Sequence, residues 1–351
     1  MSGIDLVHDF HHNEPALHAA EAMNRLGAAR EPFLFVLDYA VRRPLVIPLA
    51  ECNPNEVRYA MPLGSNDAAA STTKDRAQVL QTPRPSIQIV EPPSRERYRI
   101  AFDRVQEHLR RGNSYLVNLT LPTRITVRGT LLYLFQHSHA RYRLWLRDQF
   151  VVFSPEPFLS IRGNIVSSCP MKGTRVGTGP AVEQALLADE KEHAEHITIV
   201  DLIRNDIGRI ARSVRVERFR YLETIHADTH ALQQMSSRIE GVLDADWQCH
   251  IGSLLLATLP AGSVTGAPKT MTCRIIDEVE QYDRGYYTGI AGIFDGEGLD
   301  SGVLIRFVEQ DTAGGFWFKS GGGITVYSDG DREYDELLAK VYVPLLRNDP
   351  R

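Results

Sequence analysis

The chain has 351 residues, 43% of them hydrophobic and 24% charged, with a formal net charge of −5. That is ordinary for a globular chain long enough for one large domain or two average ones, and it carries no basic surplus to recommend nucleic acid. None of the four cysteines (Cys52, Cys169, Cys249 and Cys273) forms a CxxC pair. No run of about 18 apolar residues suggests a membrane span, and the polar N-terminus MSGIDLVHDFHHNEP is unlike a signal peptide, so a reduced cytoplasmic setting is expected.

In chain order, a short helix is expected around Ala16 to Leu26. FLFVLDYA and PLVIPLA, apolar and broken by VRRP, predict two strands. From Asn53 to Ser94 the chain is rich in Pro, Ser, Ala, Asn and Asp and reads as a connecting region. RERYRIAFDRVQEHLRRGN has apolar Ile100, Val105 and Leu109 and ends at Gly112, which predicts a capped helix. SYLVNLTLPTRITV predicts a strand. FVVFSPEPFLSIRGNIVSSCP predicts a hairpin turning at Arg162, Gly163 and Asn164.

The glycine-rich SCPMKGTRVGTGP follows, with a single lysine, Lys172, that could be a loop charge, a phosphate clamp or a nucleophile. Residues 182–212 predict one long helix, with Ile197, Val200, Ile203 and Ile207 at helical spacing. GAPKTMTCRIIDEVEQYDRG predicts a helix starting near Pro268 and ending before Gly285. The segment from YYTGIAGIFDG to SGGGITVY predicts a three-strand antiparallel meander, and DREYDELLAKVYVPLLRN predicts a closing helix. Strands in consecutive runs favour an α+β fold. Residues 1–94 are expected to be a short N-terminal segment lending strands to the sheet, and residues 95–351 a catalytic domain.

Several of these stretches carry candidate chemistry. Glu192 and Glu195 lie three apart on a predicted helix and share a face. Glu333, Glu336 and Lys340 do so on the last helix, where Glu336 and Lys340 also have the spacing of an ordinary surface ion pair. Two such carboxylate pairs could converge on one hard cation such as Mg²⁺. His193 and His196 lack the HExxH spacing of a zinc site. SGGGITVYSD and PAGSVTGAPK are glycine-rich but match no nucleotide-binding motif. Arg306, amid the apolar GVLIRFVE, needs a partner, and a ligand carboxylate would serve.

From about Arg97 onward, PMKGT, DEKEHAEHITIVDLIRNDIGRIA, GSVTGAPKTM, YYTGIAGIFDG, GVLIRF, SGGGI and EYDELLAKV occur in the order seen in the chorismate-utilising enzymes, and the chain resembles that family. The resemblance implies two antiparallel β-sheets packed face to face and flanked by helices. It implies Mg²⁺ bound by Glu195 and Glu336, with Glu192 and Glu333 in accessory positions. It places Tyr287, Arg306, Lys340 and the backbone of Gly321 and Gly323 around the substrate carboxylates, and Gly173, Thr174 and Ser263 elsewhere in the pocket.

Within the family, anthranilate and isochorismate synthases have alanine before the Gly-Thr pair, and aminodeoxychorismate synthases have lysine. Met-Lys-Gly-Thr is similar to the latter. The resemblance implies that Lys172 attacks C2 of chorismate, that Glu156 is the general acid/base, and that ammonia then gives 4-amino-4-deoxychorismate, on the way to 4-aminobenzoate and folate. Leu116 stands where water-using relatives carry a lysine base, and Gln234 where a histidine is usual, with His230 nearby. No glutaminase motif is present, so a separate glutamine amidotransferase subunit is expected to supply ammonia. The N-terminus is shorter than in common bacterial relatives, so no tryptophan feedback site is expected. The alternatives are anthranilate synthase, another chorismate-utilising enzyme, or a degenerate paralogue that only binds chorismate.

Overall fold

The computed structural model describes residues 13–67, 83–188, 190–226 and 231–346. Helix α1 (Glu14–Ala28) is capped by Asn13, whose side chain accepts from the Ala16 amide. Strands β1 (Phe33–Leu37) and β2 (Leu45–Pro48) then begin one sheet. A second sheet receives β3 (Val57–Met61), β4 (Gly64–Ser65) and β5 (Ser86–Glu91), and, after helix α2 (Arg95–Arg110), β6 (Leu116–Arg128). The short α3 (Leu131–Gln136) leads into β7 (Tyr142–Leu146) and β8 (Phe150–Ser154) of the same sheet.

The chain crosses back to the first sheet for β9 (Pro157–Arg162), β10 (Ile165–Ser168) and β11 (Met171–Val176). Helices α4 (Pro180–Leu187) and α5 (Glu190–Gly208) precede β12 (Arg212–His226) and β13 (Ala231–Val242). Helix α6 (Ile251–Thr258), the two-residue β14 (Gly266–Ala267) and α7 (Lys269–Glu280) follow. Then β15 (Ile290–Phe294) and β16 (Leu299–Val303) join the first sheet, β17 (Phe307–Gln310) and β18 (Phe316–Ile324) the second, and α8 (Gly330–Ala339) closes the succession.

Among the described residues each sheet has nine strands, all paired antiparallel. The first runs β11-β13-β10-β9-β16-β15-β1-β2 with β12 beside β13. The second runs β14-β6-β18-β17-β8-β7-β3-β4 with β5 beside β6.

The sequence of β1, FLFVL, shows why the sheets stack. All five residues are buried, so the strand has no polar alternation. Phe33, Phe35 and Leu37 pack with α1 and α6, whereas Leu34 and Val36 pack with Tyr59, Leu144 and Val152 of the other sheet. Sheet faces sheet, and helices cover both outer faces: α1, α5 and α6 on one side, α2, α3, α7 and α8 on the other. The expected α+β architecture of two packed antiparallel sheets is the one observed.

Several expectations need correction. The connecting region from Asn53 to Ser94 contains β3, β4 and β5. The long helix over 182–212 is two helices, α4 and α5. Ile100 and Ile197, assigned to apolar helix faces, are exposed; Tyr98, Phe102, Ile199 and Leu202 are buried instead. Helix α7 starts after Pro268 and ends before Gly285 as expected, and its stop is Gln281 in the left-handed conformation, φ 53°. The three-strand meander is two hairpins, one in each sheet, and Arg306 lies between them rather than inside a strand.

Candidate functional site

Two crossovers between the sheets build one wall of the site. The first, between β8 and β9, contains Glu156 between Pro155 and Pro157. Pro155 has no amide hydrogen to offer a ladder, and β9 begins at Pro157, opposite Gly302, beside a register shift. The second, between β16 and β17, contains Arg306 at φ 54°. The crossovers lie side by side: the Val303 amide donates to the Glu156 carbonyl (3.0 Å), and the Phe153 amide donates to the Arg306 carbonyl (3.1 Å). Leaving one sheet for the other thus sets an acid and a cation next to each other.

Both residues line a cavity of about 200 Å³ shared by Ser263, Tyr287, Gly321, Gly323 and Lys340. Seven of the sequence-predicted site residues therefore come together from six separate stretches of chain. The Ser263 hydroxyl donates to Oε1 of Glu156. Arg306 Nη1 donates to the Lys340 carbonyl at 3.0 Å, and its guanidinium lies over the Tyr342 ring, 4.7 Å from the centroid. Lys340 Nζ donates to the Gly321 carbonyl at 2.8 Å and pairs with Glu336 at 2.7 Å, the i, i+4 geometry its spacing allowed. Burial pushes the Tyr287 phenol well above its ordinary range, so it stays neutral at physiological pH.

Glycines in β18 make a second wall. Gly321 is opposite Thr120 and Gly323 opposite Asn118 of β6. A Cβ at Gly321 would meet the Leu119 carbonyl oxygen at 2.4 Å and Thr120 Cγ2 at 2.5 Å, so the strands approach this closely only without a side chain. The third wall is apolar. Leu116, Ile199 and Ile203 line the cavity, and the first two are buried. Leucine at position 116 offers no proton acceptor there.

Strand β11 borders the cavity through Met171. Its register shifts between Lys172, opposite Met235, and Thr174, opposite Gln234, and Gly173 sits at φ 74° in that bulge. The side chains of Lys172, Thr174 and Glu192 lie outside the described part of the structure, as does His230. Glu195 on α5 and Glu333 and Glu336 on α8 do not line the cavity itself. Glu333 is 7% exposed and stands at its edge: a Cβ built on Gly322 would lie 3.5 Å from its Oε2 and 3.6 Å from Lys340 Nζ. Among the described residues no three His, Cys, Asp or Glu side chains converge as a ready cluster for a metal.

One pair escaped the sequence reading. Lys269 Nζ donates to Asp206 at 2.6 Å and to the Thr258 carbonyl at 2.9 Å, with both side chains buried. Asp206 and Thr258 line the cavity. Burial raises the Asp206 carboxyl against the pull of Lys269, and burial lowers the Lys269 amine against the pull of Asp206. A signal was present: a lysine at the first position of a helix opposes the dipole and calls for an acidic partner.

The match to known proteins covers this whole frame. A family model described as chorismate binding enzyme matches residues 48–346. The chain is 45% identical over 331 residues to an uncharacterized PabA-like protein of Pasteurella multocida, covering 94% of this chain and 99% of that one. It is 38% identical to anthranilate synthase component 1 of Haloferax volcanii and 35% identical to aminodeoxychorismate synthase component 1 of Klebsiella aerogenes. Each of these two matches covers 71% of this chain, which spans 50% and 57% of the respective relatives. The crystal structure of anthranilate synthase component I from Streptococcus pneumoniae superposes with a TM-score of 0.61 at 25% identity, covering 88% of this chain and 70% of that one. The chain belongs to the chorismate-binding enzyme family. No helix among the described residues is long and apolar enough to cross a membrane.

Proposed function

We propose that the protein aminates chorismate to 4-amino-4-deoxychorismate. The observation that carries this reading is Lys172 immediately before Gly173 and Thr174, in a strand that borders the cavity holding Glu156. The neutral Lys172 amine bonds to C2 of chorismate. The ring double bonds shift, and the C4 hydroxyl leaves as water with a proton from Glu156. Ammonia then bonds to C4, the double bonds shift back, and the C2–nitrogen bond to Lys172 breaks. The new ammonium group returns its proton to the Glu156 carboxylate, which restores both groups.

Arg306 and Lys340 supply positive charge for the two carboxylates of the substrate, and Tyr287 supplies a neutral hydrogen-bonding hydroxyl. The apolar wall of Leu116, Ile199 and Ile203 lacks a base to activate water, which favours ammonia as the nucleophile. The carboxylates of α5 and α8 offer the hard oxygens that suit magnesium: Glu195 and Glu336 would hold it, with Glu192 and Glu333 accessory. When bound, the ion supplies a positive anchor for a substrate carboxylate. Ammonia comes from glutamine through a separate amidotransferase subunit, and free ammonium substitutes for it in the laboratory.

The identity to an anthranilate synthase component supports a second reading, amination at C2 with loss of pyruvate. One experiment separates the two. The protein is incubated with chorismate, Mg²⁺ and ammonium, and the products are resolved by chromatography. The reading expects 4-amino-4-deoxychorismate; anthranilate or isochorismate as the sole product overturns it.

A further inference from the structure

We propose that the buried Glu280–Arg284 pair is a positioning device that holds Ser263, and through Ser263 the Glu156 carboxylate, against the glycine wall of the cavity. Neither residue lines the cavity, and each is only 2% exposed. Glu280 is the last residue of α7, and the left-handed Gln281 turns the chain so that Arg284 folds back onto it. The pairing is bidentate: Nε donates to Oε2 at 2.8 Å and Nη2 to Oε1 at 2.6 Å.

The rest of the fork reaches the cavity walls. Nη1 donates to the Val264 carbonyl at 2.8 Å, one residue from Ser263, and Nη2 donates to the Asn118 carbonyl at 2.8 Å. Glu280 Oε1 accepts from both the amide and the hydroxyl of Thr120, at 2.8 and 2.9 Å. Asn118 and Thr120 are opposite Gly323 and Gly321. The Arg284 carbonyl accepts from the Tyr287 amide at 3.1 Å and from Lys319 Nζ at 2.9 Å. The ion pair thus ties β6, which pairs with the glycine strand, to the turn carrying Ser263, while the Arg284 main chain holds the loop carrying Tyr287. The side chains of the pair end on backbone atoms of two separate stretches, β6 and the turn carrying Ser263, both of which border the cavity. Lysine at 284 keeps the charge but has one nitrogen where arginine places three, so it cannot hold Glu280, Val264 and Asn118 together.

This inference rests on the chain turning over chorismate with Glu156 as a working group, and the test counts every chorismate-derived product. Wild type, Ser263→Ala, Arg284→Lys and the double variant are compared by steady-state kinetics and thermal melting. If Arg284 acts through Ser263, Arg284→Lys lowers kcat about 10-fold or more with little change in KM, and the double variant is within about 2-fold of the worse single variant, the mark of coupled residues. Multiplying effects, or a lowered melting temperature with unchanged kcat, overturn the inference. Should Arg284→Lys not fold, Glu280→Gln, which keeps the shape of the side chain, takes its place in the same cycle. An active wild type with independent effects removes only this inference; a wild type that makes no product from chorismate removes the functional reading and this inference with it.

Discussion

Ser263 donates a hydrogen bond to the carboxylate of Glu156 although 107 positions separate them in the chain. Ser263 lies on a single 3₁₀ turn after α6, and Glu156 lies on the crossover from one sheet to the other. The bond holds one carboxylate oxygen of a residue that lines the cavity. A group that gives up a proton and later takes it back must be held in position.

Glu156→Gln tests this directly. Glutamine keeps the size of the side chain and an acceptor for Ser263, but it cannot transfer a proton. Turnover should fall about 10²–10⁴-fold while chorismate binding, measured by calorimetry, stays near wild type. A kcat within a few-fold of wild type would remove Glu156 from proton transfer.

Gly321→Ala tests the glycine wall. The added Cβ would enter space held by the Leu119 carbonyl and the Thr120 side chain, so β6 and β18 must separate. The expected cost is about 1–3 kcal/mol in urea unfolding, with a raised KM for chorismate, because the Gly321 carbonyl also orients Lys340. An unchanged KM would show that the wall yields without affecting the pocket.

Much of this site is legible in the sequence because it rests on short motifs. GSVTGAPKTM, GVLIRF and SGGGI are local, and the resemblance they carry pointed to Ser263, Arg306, Gly321 and Gly323, which line the cavity; residue types alone left Lys172 and the paired glutamates open. What was not legible depends on where the chain changes sheets. The strands around Arg306 read as one meander because apolar runs look alike in either sheet; only the positive φ at Arg306 separates them. The strands β3 and β4 were hidden because they lie in a stretch rich in turn residues and are held by pairing with β7 and with each other. The Asp206–Lys269 pair was hidden for a different reason: its members are 63 positions apart, and each looks like a surface charge until both are buried.

Removing one member of that pair leaves an uncompensated charge in the wall. Lys269→Met should destabilise the protein by about 3–5 kcal/mol, and Asp206→Asn added to it should recover part of the loss. Denaturant titration of the two variants checks the order. Equal stability of Lys269→Met and wild type would mean that the pair contributes nothing net.

Asp311 gives a pH prediction. Its carboxylate accepts from the Trp317 indole at 2.9 Å and from the amides of Gly315 and Ala313 at 2.7 and 3.0 Å, in the turn between β17 and β18. The Trp317 bond first, and then the amides, lower its pKa below 3.8. A group with a lowered folded-state pKa adds stability above its unfolded pKa and loses it as pH falls through the folded value. Asp311→Asn should therefore melt lower than wild type at pH 7, and the gap should close as pH falls below about 4. Thermal melts across this range check it; a gap that widens on acidification would contradict the assignment.

The central claim is that Lys172 bonds covalently to the substrate. The protein is mixed with chorismate and Mg²⁺ without ammonium, quenched, and weighed intact, and the modified peptide is then located. The account predicts a mass increase equal to chorismate less water, mapped to Lys172 and abolished in Lys172→Ala together with turnover. An undiminished adduct in Lys172→Ala, or full amination activity in that variant, would contradict it.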